Sequence, residues 1–183
     1  MGTVSESGNK FYLSEFDSPP TWKDVERFRQ LIVPAEEFGA ESTKALLQCH
    51  PFLIMLANIV VKAKDIRIKE GHRGKEAQDK AVKDGRSKIQ WPNGPHNHIP
   101  SIAMDIEPYP LMVDAKGQVI IADFWLLAGH VMMAAAELKI KVRWGRNWKS
   151  DLIYWKPGTD ISSQEFNDYY HWELVLDNAK SEV

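Results

Sequence analysis

Cysteine is almost missing from this chain: Cys49 stands alone among 183 residues, which excludes an intrachain disulfide and a cysteine-rich zinc cluster. The fold therefore does not rely on oxidation. Charge of one sign is missing too. Lys and Arg number 23 against 25 Asp and Glu, a formal net charge of −2, so the strongly basic domain expected of a dedicated nucleic-acid binder is not there. Long apolar runs are also lacking. Residues 52–61 are interrupted only by Asn58 and stop at Lys62, well short of the ~20 residues that span a bilayer. Residues 1–10 are small and polar, without the basic segment and apolar block of a secretory signal. Synthesis in the cytoplasm without a signal peptide is the expectation, with any action outside depending on a separate means of release. No internal repeat or low-complexity tract occurs.

What remains, 44% apolar and 26% charged residues, suits one globular domain with one well-filled core. Residues 1–20 end in Ser18-Pro19-Pro20 and read as a flexible leader. Residues 21–183 read as a single domain, expected to be monomeric. The periodicity predicts a short helix over 22–31 and apolar positions at helical spacing over 41–64, with Pro51 opening the main helix at its first turn. An alternating strand follows over 66–70, then a turn at 71–74 and a helix from 76 to 83 closed by Asp84-Gly85. A loop rich in Pro, Asn and Gly covers 87–100. Residues 122–138 predict a buried helix, 140–144 a short strand, 146–164 a loop and 171–176 the last strand. Helices first, then strands with one helix inserted, imply an α+β domain: a small antiparallel sheet flanked by helices.

The chemistry concentrates between Gly94 and Pro110. His96 and His98 stand just upstream of Asp105, which lies in the alternating run Ile102-Ala103-Met104-Asp105-Ile106-Glu107. Alternation sends Ile102, Met104 and Ile106 to a core and Ala103, Asp105 and Glu107 to the other face. A mid-strand acid beside a small alanine suits a metal pocket. Far downstream, Asp168 and His171 form a second acid and histidine pair leading into another alternating run. Two histidines and a carboxylate around one zinc leave a fourth position open, the arrangement of a catalytic site. Zinc bound there lowers the pKa of water from about 15.7 to about 7. A nearby carboxylate must still carry the proton to the leaving amine. Asp168, three residues before His171, is placed to reach across one turn and do so.

Taken in order, several segments resemble one family: Cys49-His50-Pro51, residues 70–78 (Glu-Gly-His-Arg-Gly-Lys-Glu-Ala-Gln), Gly85-Arg86-Ser87-Lys88, His96-Asn97 through Pro100-Ser101 to Ala103-Met104-Asp105, Arg143-Trp144-Gly145, and Asp168 through His171-Trp172-Glu173-Leu174. Together they are similar to the M15 zinc peptidases, the D-alanyl-D-alanine carboxypeptidase and L-alanyl-D-glutamate endopeptidase group of phage endolysins and bacterial wall enzymes. The resemblance covers residues 47–176. It implies Zn2+ held by His96, Asp105 and His171, with Asp168 as general base and then acid. It also implies Arg73 as the guanidinium on the scissile carbonyl and Gln78 as a substrate-orienting residue. Spacing alone leaves His98 open as the alternative ligand; Asn97 and Pro100-Ser101 match the family's longer form and select His96. The chain departs from the common pattern in having Gly94 where Ser is usual and Arg146-Asn147-Trp148 after the Trp-Gly pair.

Other residues have a bland reading beside the functional one. Glu173 shares a strand face with His171 and is either support for that ligand or a solvated glutamate. His72 and His130 read as structural. Trp91, Trp148, Tyr154 and Trp155 line a peptide or sugar groove or pack beneath a loop. The basic excess over 62–88 is a solvated face or an attraction to an anionic wall polymer. The implied function is an endolysin-type zinc peptidase cutting peptidoglycan stem peptides at L-alanyl-D-glutamate. The alternatives are D-alanyl-D-alanine carboxypeptidase activity and a non-hydrolytic, zinc-stabilised binding module on the same fold. Peptidoglycan is the partner expected; nucleic acid and a membrane span are not.

Overall fold

Two helices and a turn prepare the first strand. The computed structural model describes residues 33–148 and 166–176; the helix expected over 22–31, the leader, and Tyr154 and Trp155 lie outside them. The apolar periodicity over 41–64 is divided between α1 (Ala40–Leu46) and α2 (Pro51–Ala63). The division falls where Pro51 must open a helix, because proline has no N–H to donate and fits the first turn. His50 caps α2, its Nδ1 accepting the Phe52 N–H at 3.2 Å. The His50 N–H in turn donates to Ser101 O at 2.7 Å, and the Ser101 N–H to Gln48 O at 2.9 Å. Residues 48–50 thus tie the start of α2 to the chain entering the Asp105 strand.

The remaining elements are β1 (Ile66–Glu70), α3 (Lys75–Lys83), a 3-10 turn (Pro95–Asn97), β2 (Ala103–Pro108), α4 (Ile121–Glu137), β3 (Val142–Trp144) and β4 (His171–Leu174). Gly85, at φ +72°, ends α3 in the left-handed region that favours glycine. The four strands form one antiparallel sheet in the order β1-β2-β4-β3, the α+β architecture the element order predicts. Among the described residues no helix is long and apolar enough to cross a membrane.

Period-two alternation gives this sheet two different faces. Ile66, Ile68, Met104, Ile106, Val142, Trp144, Trp172 and Leu174 are all buried in the core. Against them α4 brings Phe124, Leu127, Ala128, Val131, Ala134 and Ala135, recurring at helical spacing, and α2 brings Leu53, Leu56, Ala57 and Val60. Trp144 and Trp172, on adjacent strands, stack with ring centroids 5.4 Å apart, and Trp125 meets Trp144 edge-on at 4.9 Å. Such aromatic pairs add about 0.5–1.5 kcal/mol beyond the area they bury. The opposite face carries Arg67, Glu107, Asp105, His171, Glu173 and Arg143. A charged row on a sheet whose other side is core is where the site must lie.

Candidate active site

Strand register assembles half of the site. Asp105 on β2 lies directly opposite His171 on β4, and Ala103 opposite Glu173. On the other side of β2 the pairing runs Ile66 with Pro108, Arg67 with Glu107 and Ile68 with Ile106, then slips so that Glu70 faces Asp105. That bulge puts Glu70, Asp105 and His171 in one row across three strands. The 3-10 turn brings in the fourth member, His96. Its position is fixed by the turn at 71–74: His96 O accepts the Arg73 N–H at 2.8 Å, and Asn97 Nδ2 donates to Arg73 O at 2.9 Å. Gly71 lets the 71–74 turn lie against the end of α1, since a Cβ there would lie 2.3 Å from Ala45 O and 2.9 Å from Cys49 Sγ. Gly94, where serine is usual in the family, caps the turn by donating its N–H to Asn97 Oδ1 at 2.9 Å. A Cβ at Gly94 would come 2.7 Å from that oxygen, so the departure from the pattern belongs to how this turn is packed.

His96 Nε2, Asp105 Oδ1 and His171 Nδ1 face one another. The separations are 3.0 Å between the two nitrogens, 3.2 Å from His96 to Asp105 and 3.4 Å from His171 to Asp105. The outer nitrogens show which way these rings are turned. His96 Nδ1 lies 2.7 Å from Gly71 O, an acceptor only, and therefore carries the proton. His171 Nε2 lies 3.0 Å from Glu173 Oε2 and donates to that carboxylate. In the neutral rings the two inner nitrogens and Asp105 Oδ1 are then three lone pairs aimed at one point with no proton among them. A cation resolves that repulsion. Ligands about 2.0–2.1 Å from a tetrahedral zinc stand about 3.3 Å apart, which the three separations match. This donor set is the only group of its kind among the described residues, and it fits a divalent transition metal.

Electrostatics agree with the geometry. Burial alone would raise the Asp105 carboxyl, but the His96 and His171 rings outweigh it and hold the group far below the usual carboxylate range. Burial opposes charge on His171, yet hydrogen bonds to Asp105 and Glu173 push its pKa up to about 9. Without a cation the cluster thus favours a proton on His171, which a metal bound there would displace. Burial likewise tends to raise Glu173, but His171 and the Arg143 guanidinium bring it below its ordinary value. Arg143 Nε donates to Glu173 Oε1 at 2.6 Å. Arg143, Glu173 and His171 therefore form a chain that fixes the ring, the kind of outer support that orients metal ligands.

Arg73 lies beside this cluster. Its Nε donates to Glu70 Oε1 at 3.0 Å while Nη2 pairs with the other Glu70 oxygen, and Nη2 stands 3.7 Å from Asp105 Oδ2. Burial works against its charge, but Glu70, Asp105 and Asp168 together raise its pKa above that of a free guanidinium. Gln78 is buried with its amide fully engaged: Nε2 donates to Ser87 Oγ at 2.9 Å and Ile89 O at 2.5 Å, and Oε1 accepts from Arg73 and Asn97, each at 3.3 Å. Gln78 thereby holds Arg73, the 3-10 turn and the 87–89 loop together. A cleft of ≈ 250 Å³ opens over these groups, with Arg73, Gln78, His96, Trp148, Asp168 and His171 in its lining.

Asp168 enters the cleft from irregular chain just before the bend at Tyr169 and Tyr170 that leads into β4. Its Oδ1 accepts the Tyr170 N–H at 3.1 Å. Its N–H donates to Gly145 O at 3.0 Å, while the Gly145 N–H donates to His171 O at 2.9 Å. Gly145 sits so close that a Cβ would lie 2.5 Å from Asp168 O and 2.9 Å from Asp168 Cβ. Burial, and then the Asp105 charge, raise the Asp168 carboxyl above its usual value. With Asp168 as the proton carrier proposed below, Gly145→Ala should lower turnover about 10²-fold, the cost of misplacing a reacting group by about 1 Å, without a change in metal binding. Turnover at the wild-type rate in the variant would show that Gly145 does not position Asp168.

His98 is exposed and stands apart from the cluster, and His72 and His130 are half-buried outside it. Cys49 is buried, and burial, followed by the Asp105 charge, pushes its thiol up to about 12, so thiolate chemistry is not available to it. Trp148 lines the cleft, its ring 5.2 Å from that of His171. Trp91 lines a separate depression with Lys75 and Asp79. The Glu70 clamp and the Gly145 contact escaped the sequence reading. A glutamate three residues before an arginine, and a glycine in a strand-ending Trp-Gly pair, were the only signals for them.

Comparison with known proteins agrees with this architecture. The family model for phage L-alanyl-D-glutamate peptidases matches residues 35–175. Among solved structures, the L-Ala D-Glu endopeptidase ChiX of Serratia marcescens is similar, with a TM-score of 0.56 and 25% identity over 76% of this chain and 92% of that one. No curated protein matches. The motifs, the sheet that carries them and a family match spanning all four strands lead to one conclusion: the chain belongs to the phage L-alanyl-D-glutamate peptidase family, of the M15 type its sequence resembles.

Proposed function

We propose that this chain is a zinc-dependent endolysin-type peptidase that cuts the L-alanyl-D-glutamate bond of peptidoglycan stem peptides. In this reading His96, Asp105 and His171 hold the metal, and Asp168 and Arg73 act on the substrate. One observation carries the reading: three donor atoms converge at 3.0–3.4 Å, with the outer nitrogens of the two histidines tied back, beside a cleft that Asp168 and Arg73 also line. Zinc there would supply Lewis acidity for the carbonyl and acidify water to a pKa of about 7.

The chain's own residues do the rest. Asp168, held by Gly145 and raised by burial, takes a proton from the attacking water on its carboxylate. It then returns that proton to the leaving amine nitrogen, so one carboxylate serves both halves of the reaction. Arg73, clamped by Glu70, presents fixed N–H donors to the oxygen on which charge develops. Glu173 and Arg143 keep the His171 ring in the tautomer whose Nδ1 lone pair faces inward. Gln78 acts on substrate through Arg73 and the cleft wall, its amide being fully committed to protein partners.

Purified peptidoglycan incubated with the zinc-loaded protein should release fragments with new D-glutamate amino termini, and a chelator should stop the release. Loss of terminal alanine alone would identify a D-alanyl-D-alanine carboxypeptidase instead. Wall left intact by protein that binds zinc would identify a binding module.

A further inference from the structure

One stretch of the cleft lining is cationic in a way that hydrolysis does not require. Arg86 and Lys88 both line it, and they differ in how they are held. Arg86 Nη2 lies 3.2 Å from Asp84 Oδ2, an oxygen that Lys80 Nζ also reaches at 2.7 Å. Lys88 has no carboxylate partner among the described residues. Instead its Nζ lies 5.5 Å from the centroid of the Phe166 ring, and Phe166 itself lines the cleft. A ring face attracts an ammonium without neutralising it. The loop behind is rigid: Ser87 Oγ and Ile89 O both accept from the buried Gln78 amide, and the Ser87 N–H donates to Ala81 O at 3.1 Å. Lys88 is thus an unneutralised cation on a fixed loop, facing the cleft. The two acids that line the cleft are held by other partners, Glu173 by Arg143 and His171 and Asp168 by the Tyr170 N–H.

Resting on the proposed cleavage at L-alanyl-D-glutamate, the chemistry of that substrate names a partner for this charge. In a stem peptide the D-glutamate continues the chain through its side-chain carboxyl. Its α-carboxylate is therefore left free on the residue directly after the scissile bond. We propose that Lys88 is a specificity-determining residue that pairs with this free α-carboxylate, so that the protein distinguishes stem peptides carrying the acid from those in which it is amidated.

The leaving half of the substrate tests this without turnover, because it contains no scissile bond. γ-D-Glutamyl-lysine and its α-amide are titrated by calorimetry into the zinc-loaded full chain. The acid should bind about five- to tenfold more tightly than the amide, the range of a partly screened, charge-assisted pair. Lys88→Ala should remove that gap by weakening the acid alone, and Lys88→Arg should keep it. Raising the salt concentration should narrow the gap in wild type and leave the amide unchanged. Equal affinity for acid and amide, absence of binding by both, or a gap that survives Lys88→Ala overturns the assignment. The peptidase reading fails separately: with intact stem peptides, a binding gap that depends on Lys88 but no new amino terminus would leave Lys88 in place and refute the cleavage.

Discussion

Asp105→Asn should leave a folded chain that no longer holds zinc and no longer hydrolyses peptidoglycan. Asp105 Oδ1 is the only anionic atom of the three that converge, and it faces both imidazoles at 3.2 and 3.4 Å. An amide in its place turns a charged donor into a neutral one and can present N–H to the same point. Loss of an outer partner of a metal ligand typically costs 10–100-fold in affinity; that is the expectation for Glu173→Gln, and Asp105→Asn should exceed it. His96→Ala should match Asp105→Asn, whereas His98→Ala should behave as wild type, since His98 is exposed and outside the cluster. Zinc titration of each purified variant, with turnover measured on the same samples, decides the matter. Stoichiometric zinc in Asp105→Asn, or its loss in His98→Ala, would overturn the ligand set.

Asp168→Asn should give the opposite division: zinc retained, kcat reduced about 10²–10⁴-fold, the contribution of a positioned general acid and base, and KM little changed. Asparagine keeps the volume and can still accept the Tyr170 N–H, but it cannot carry a proton from water to amine. Burial leads the causes that raise the Asp168 carboxyl and the Asp105 charge follows. A cation bound at Asp105 removes the second and itself favours the carboxylate, so that burial alone acts to raise the group. A raised pKa means that the basic form appears at higher pH, so the acid limb of kcat/KM should lie above the ~3.9 of an ordinary aspartate and should vanish in Asp168→Asn. A variant that keeps wild-type kcat would remove Asp168 from the mechanism, whatever its place in the cleft.

The two variants together separate holding the metal from moving the proton. The wall assay alone cannot do this, because either loss abolishes release of fragments. Their independence follows from the fold: the proposed ligands lie on paired strands and a pinned turn, whereas Asp168 hangs from Gly145 by a backbone bond of its own.

Much of the architecture was legible because it rests on periodicity. Period two over 102–107 placed Met104 and Ile106 in the core and Asp105 and Glu107 on the other face, as the sheet has them. Helical spacing placed α4, and Pro51 marked where α2 begins. The surroundings of Asp168 were not legible, because nothing near it in sequence reveals that its N–H is held by Gly145, far upstream in the chain.

The sequence by itself determined which atoms are available: two imidazoles and a carboxylate, an acid near the last strand, an arginine in a glycine turn, and one cysteine. It also determined which residues alternate toward a core, since that depends only on neighbours along the chain. Tertiary structure decided everything that depends on pairing. The bulge in β1 aligned Glu70 with Asp105, and the register of β2 on β4 set Asp105 against His171. The pinned turn chose His96 over His98 for the cluster, and close packing at Gly71 and Gly145 let the segments meet. The physical reason is that a converging site is a set of distances between residues far apart in sequence, and strand register and steric approach fix those distances, not the spacing of letters in the chain.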